Sequence, residues 1–297
     1  MITAESTSTG IKPEKIEKTS LLLETLQRMV KGPGARVGTV LFALIVLASV
    51  FAPLIAPYGP NEMDLKNMYA TPSASHLLGT DGLGRDLLSR LLYGGRYSLS
   101  LGLSAAVFGA FVGVIIGSIA GYFGGKTETL IMRLMDIWSS LPGMLLCILI
   151  SAALGAGFFF TVLALAVGAV PEAVRLIRAQ ILKERTKEYL EAAEAINCSK
   201  FSIMFRHLLP NVVSPILVMM TMGIGMTITM AAALSYIGLG VQPPTPEWGA
   251  ILADGRSHIL NYPHLIMFPG LVIAITVLAI NLMGDGLRDA LDPKLRS

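Results

Sequence analysis

Six stretches of roughly twenty residues divide this chain, at 37–56, 97–123, 137–155, 157–174, 212–236 and 265–284, and none holds Asp, Glu, Lys or Arg in its interior. A bilayer core about 30 Å thick takes about 20 mostly apolar residues wound as a helix. One ionised side chain at the centre of such a helix costs about 2.5–3.5 kcal/mol on insertion scales, so the missing charges support every span. Of the 297 residues only 14% are charged, against about a quarter in a soluble domain. The fold expected is an all-α integral membrane protein with six transmembrane helices.

The first span follows 36 residues of polar chain, too long and too polar a lead for a signal peptide, so it reads as a retained helix. Within that lead Leu21, Leu22, Leu26, Met29 and Val30 share one face of an amphipathic segment, suited to lying at the membrane interface. Lys and Arg placement then sets the orientation. With the N-terminus in the cytoplasm, 18 of the 23 Lys and Arg residues fall in inside segments and only Lys66, Arg85, Arg90, Arg96 and Arg256 fall outside. Both termini are therefore expected in the cytoplasm.

Three extramembrane pieces stand out. Residues 57–96 are turn-rich and extracytoplasmic. So is the proline-stiffened run at 242–249, whose Trp248 suits a lipid-interface anchor. The third, 175–211, is cytoplasmic and longer than a connection between neighbouring helices needs. Residues 183–196 are rich in strong helix formers. Asn197 tolerates the left-handed conformation that ends a helix, and Ser199 can cap the next one. Two helices with a sharp bend between them are expected to project into the cytoplasm as a docking site.

Chemistry-bearing motifs are scarce. The run Gly121-Tyr122-Phe123-Gly124-Gly125-Lys126-Thr127 approaches a phosphate-binding loop, but Ala120 stands where the first glycine is required. It reads as a turn leaving the membrane. No nucleophile elbow or H-E-x-x-H pattern occurs, and His207 reads as a structural or docking residue. Asp81, Asp86 and Asp254 lack calcium-loop spacing, while Cys147 and Cys198 offer neither a disulfide framework nor a metal site. Gly109, Gly113, Gly117 and Gly121 recur every four residues, the spacing that lets helices approach closely in lipid. Glu172 and Asp136 are the nearest candidates for ion coupling, and both sit toward cytoplasmic span ends. No catalytic set, cofactor, metal or nucleic-acid partner is expected.

The segment Glu191-Ala192-Ala193, with residues 203–211 reading Ile-Met-Phe-Arg-His-Leu-Leu-Pro-Asn, resembles the EAA loop of ATP-binding-cassette (ABC) importer permeases. Asn197 stands where that family usually has glycine. Residues 78–94 (LGTDGLGRDLLSRLLYG), 120–125 (AGYFGG), 178–180 (RAQ) and 238–249 (GLGVQPPTPEWG) are similar to the peptide/nickel branch. The ending 284–293 (GDGLRDALDP) is similar to its second, C-type, permease subunit. The resemblance covers about residues 36–296. It implies a type I importer permease fold with a cytoplasmic coupling helix, in the plasma (inner) membrane. A tail at 1–36 would precede the first helix and extracytoplasmic segment at 37–96, and a five-helix transmembrane domain at 97–297 would carry the EAA loop at 175–211. Implied partners are a sister permease forming a heterodimer, two cytoplasmic ATPase subunits and an extracytoplasmic substrate-binding protein. The coupling surface it implies is Glu191, Ala192, Ala193, Asn197, Ser199 and Lys200. Peptides are the expected cargo, with nickel or a metal chelate as the alternative within the branch. An ion-coupled carrier is the rival from another class.

Overall fold

The computed structural model describes Met29 and residues 32–291. The amphipathic lead, Met29 apart, and the last six residues lie outside the described residues. Among the described residues the architecture is helical, with only an isolated bridge between Thr80 and Asp86. The principal helices are α1 (Pro33–Val50), α2 (Leu87–Phe123), α3 (Gly125–Trp138), α4 (Gly143–Leu154), α5 (Phe158–Arg185), α6 (Glu188–Ala195), α7 (Val213–Tyr236), α8 (Trp248–Gly255) and α9 (His264–Leu291).

Among the described residues five helical rods are long and apolar enough to cross a bilayer, six if the bent pair α3–α4 counts as one span. Leu44, Phe111, Leu149 and Leu278 are exposed along them, as a bundle immersed in hydrocarbon requires. Gly38 of α1 packs on Leu282 of α9, and Gly286 packs on Ala35. The start of α1 and the end of α9 therefore share one end of the bundle, called here the terminal end. The opposite end carries the long loops.

The third span departs from expectation. A single helix over 137–155 is not formed; α3 and α4 meet at 78°. The reason is local: Pro142 caps α4 in a non-helical conformation, and a proline pushes the residue before it away from the helical region. Two other spans run further than their apolar cores. Asp86 caps α2 ten residues early, its carboxylate accepting from the Ser89 amide at 2.8 Å. α5 continues through 175–185, so the segment expected to be wholly extramembrane begins as an extension of a membrane helix. Its next helix starts at Glu188, after a break at Thr186.

α2 and α5 run parallel and form the closest seam of the bundle. Gly109, Gly113, Gly117 and Gly121 face Ala169, Ala173, Ile177 and Ile181, four-residue steps on both helices. A β-carbon placed on Gly117 would lie 2.9 Å from Ile177 Cβ, and one on Gly121 2.7 Å from Ile181 Cβ. The helices touch backbone to side chain there, with no room for any residue but glycine. α7 packs across α2 and against α9.

At the loop end the polar residues are buried and paired. Asp81 accepts from Arg85 Nε at 2.6 Å, His76 Nδ1 lies 3.0 Å from Asp86, and Arg90 donates to the Pro60 carbonyl at 3.0 Å. Glu247 caps α8, accepting from the amides of Gly249 and Ala250 at 2.9 Å each and from Ser98 Oγ at 3.0 Å. Trp248 is not an interfacial anchor: it is 1% exposed and donates Nε1–H to the Leu91 carbonyl at 2.9 Å. The sequence shows an indole beside a proline-rich loop; only the packing of that loop under α2 buries it.

Candidate functional site

The segment after α5 folds into a tight, stapled elbow. Asn197 sits at φ 59°, in the left-handed region. The Cys198 amide donates to the Ala193 carbonyl at 3.1 Å across the turn, the six-to-one bond that closes a helix of this kind. Asn reaches this conformation more readily than other side-chain-bearing residues. Ser199 then caps the Lys200–Ser202 turn, its Oγ accepting from the Ser202 amide at 3.3 Å. From there the chain continues without a loop through a π-helical stretch (Ile203–Leu208) and a 3-10 turn (Leu209–Val212) into α7.

Of the six residues expected on the coupling surface, Glu191, Ala192, Asn197, Ser199 and Lys200 are exposed around the elbow. Ala193 is not: at 5% exposed it belongs to an apolar cluster with Leu190, Ile177, Ile181, Ile203 and Leu208. Leu190 and Ala193 lie three apart on one helix face, the face that holds the elbow to the bundle. Glu191 carries no hydrogen bond or ion pair among the described residues. Tyr189 clamps the elbow from behind, donating to Glu184 Oε1 at 2.9 Å and accepting from Asn211 Nδ2 at 3.1 Å. Burial first, and then the Glu184 carboxylate, push its phenol up to about 12, so it stays protonated and keeps donating.

Three residues that sequence reasoning passed over share this surface: Ile196 is 77% exposed, Phe201 68% and Phe205 54%. The two aromatic rings stack with centroids 6.3 Å apart. Apolar side chains four apart in a charged segment outside any span were the available signal.

Beside the elbow a cleft of about 830 Å³ opens between α2, α5 and α7. Its inner wall is apolar, with Ala106, Ala110, Met219, Met222 and Met226, and its mouth at the terminal end carries Lys183, Lys187 and Arg288. Of the two residues considered for ion coupling, Asp136 pairs with Arg175 at 3.1 Å, whereas Glu172 faces the cleft. Arg178 is held by Glu128 of α3, its Nε donating at 2.6 Å. The run resembling a phosphate loop is the α2–α3 turn, with Gly124 and Gly125 at φ 64° and 55°.

Residues 113–297 match the model of the binding-protein-dependent transport system inner membrane component family. The chain belongs to this family of importer permeases. Residues 20–72 of the permease also match the N-terminal transmembrane domain of oligopeptide transport permease C. It is 45% identical over 284 residues to the di/tripeptide transport system permease protein DppC of Pseudomonas aeruginosa, spanning 94% of each chain. It is 44% identical over 259 residues to the glutathione transport system permease protein GsiD of Pectobacterium atrosepticum, spanning 86% of each. In structure the permease resembles a chain of the methionine ABC transporter MetNI in an inward-facing form. The TM-score is 0.58 and the identity 19%, covering 68% of this chain and 97% of that one. The permease thus has the ABC-importer membrane fold and is a multi-pass component of an inner-membrane transport system.

Proposed function

We propose that this permease forms one half of a peptide-conducting channel, paired with a sister permease, supplied by an extracytoplasmic binding protein and driven by two separate ATPase subunits. The observation that carries the coupling reading is the elbow at Asn197. It joins α5 to α7 without a slack loop, is pinned by the Leu190–Ala193 face and the Tyr189 clamp, and displays Glu191, unpaired among the described residues, beside exposed Ile196, Phe201 and Phe205. An apolar patch rimmed by charge is the surface a partner protein covers. The terminal end faces the cytoplasm in this reading, in keeping with the Lys and Arg distribution. ATP-driven closure of the partners would shift the elbow and, through it, α5 and α7, which wall the cleft.

Peptides are the cargo because the permease matches a di/tripeptide permease along nearly its whole length. The test is reconstitution of the four membrane and ATPase subunits in vesicles with the binding protein. Peptide uptake is expected to require ATP and every partner; uptake by the isolated chain under an ion gradient refutes the reading. Charge reversal by Glu191→Lys is expected to abolish uptake while the chain still inserts and assembles, and unchanged uptake removes that residue from the coupling surface.

A further inference from the structure

We infer that Glu172 is the residue with which the channel recognises the free amino group of its cargo, an inference that rests on the peptide reading above. Three observations carry it. First, Glu172 is the only ionisable residue on α5 from Phe158 to Ala173, and α7 carries no Asp, Glu, Lys, Arg or His along its whole length. At 1.5 Å per residue it stands about 21 Å along α5 from the loop end, on the last turn of the apolar stretch before Arg175.

Second, it is unneutralised. The cations nearest in sequence are engaged elsewhere, Arg175 with Asp136 and Arg178 with Glu128. Glu172 itself has no hydrogen bond or ion pair among the described residues. The cationic mouth begins at Lys183, eleven residues and about 16 Å further along the helix. Its side chain is exposed to the cleft, and an ionisable group in a membrane span marks a substrate path.

Third, the wall around it is chemically indifferent. Met219, Met222 and Met226 of α7 line the same cleft as Glu172. Flexible thioethers repack around side chains of different shape, as promiscuous binding surfaces do. A peptide presents variable side chains and one constant cation, its terminal ammonium. The cleft's other carboxylate, Glu184, is engaged by Lys187 and Tyr189, so a methionine wall with one unengaged carboxylate matches both halves of that description.

The test uses the full complex in nanodiscs without binding protein, probed by ligand-observed NMR with dialanine, trialanine and their N-acetylated forms. In parallel, ATP-dependent uptake of dialanine and trialanine is measured in proteoliposomes with binding protein present. The wild type is expected to bind the free-amine peptides about tenfold more tightly than the acetylated ones. Glu172→Gln is expected to erase that difference, by weakening the free-amine peptides alone, and Glu172→Asp to restore most of it. A wild-type complex that shows no saturable binding, or no preference for the free amine, overturns the inference. So does a Glu172→Gln complex that weakens acetylated and free peptides alike, the pattern of an ion pair with the sister subunit. Uptake separates the two layers. If the wild type transports neither peptide, the peptide reading itself fails; if it transports both while the NMR arm shows no preference for the free amine, only the role of Glu172 fails.

Discussion

Replacing Gly117 by alanine tests the α2–α5 seam at one of its closest approaches. The new carbon would lie 2.9 Å from both Ile177 Cβ and the Val174 carbonyl oxygen, whereas carbon contacts settle at about 3.5–4.0 Å. The obstructing atoms are backbone and a β-carbon, so no rotamer change relieves them. The helices must part by roughly 0.6–1 Å, and the matched steps at Gly113 and Gly121 loosen with them. Overpacking of this kind costs about 1–3 kcal/mol. Glycine to alanine in a helix returns about 1 kcal/mol, so the net loss is about 0–2 kcal/mol and the folded-to-unfolded ratio falls by up to about thirty-fold. Gly117→Leu, with three more carbons to place, is expected to prevent the seam from closing. Gly143 at the start of α4 is the control, because a β-carbon there meets nothing within 4 Å, and Gly143→Ala should be neutral or slightly stabilising. Equilibrium unfolding in bicelles by steric trapping reads all three. A Gly117→Leu chain as stable as wild type, or a Gly143→Ala chain that loses as much, refutes the seam.

Three further expectations follow from the elbow and the loop end. Asn197→Gly should keep ATP-coupled uptake, while Asn197→Val, carrying a β-branched side chain at φ 59°, should cost at least about 1–2 kcal/mol and lose coupling; equal uptake by both contradicts the left-handed turn. Tyr189→Phe removes the clamp to Glu184 and Asn211, a loss of about 0.5–1.5 kcal/mol per hydrogen bond, and hydrogen exchange at residues 188–200 should accelerate; unchanged exchange shows that the hydroxyl does not hold the elbow. Burial pushes the Asp254 carboxyl above its ordinary value of 3.8, against the pull of Arg90 and Arg85. Its proton is held more tightly folded than unfolded, so the stability it contributes is full below 3.8 and declines as pH rises through the raised value. Asp254→Asn should flatten that decline in thermal unfolding across the acidic range, and an unaltered slope assigns it to another group.

Membrane spans were legible because the bilayer imposes length and excludes charge, two rules readable residue by residue. The elbow was legible for a similar reason: Asn197 and Ser199 act through their own backbone neighbourhood. What escaped depends on distant partners. The break before α4 lies within a run that composition marks as continuous, and Ser139-Ser140-Leu141-Pro142 is the local clue. Trp248 reads as an interfacial residue until Ser98, Leu91 and Gly94 are known to surround it. Ala193 belongs to the same motif as Glu191 and Ala192, yet one step around the helix turns it toward Ile177 and Ile181. Glu172 was legible as an outlier of charge, but its exposure to the cleft required α7 to be placed opposite.

Between Ser202 and Leu209 the rod that leaves the elbow is wound one residue per turn too loosely, as a π-helix. Such winding is a stored register. If one of its turns tightens to the α form, everything beyond advances by one position, about 100° of rotation. Met219, Met222 and Met226 would sweep round the axis together, while Lys200 below need hardly move. A small stroke at one end of an unbroken shaft can thus exchange the face that α7 presents, so the machine would turn its wall rather than push it aside.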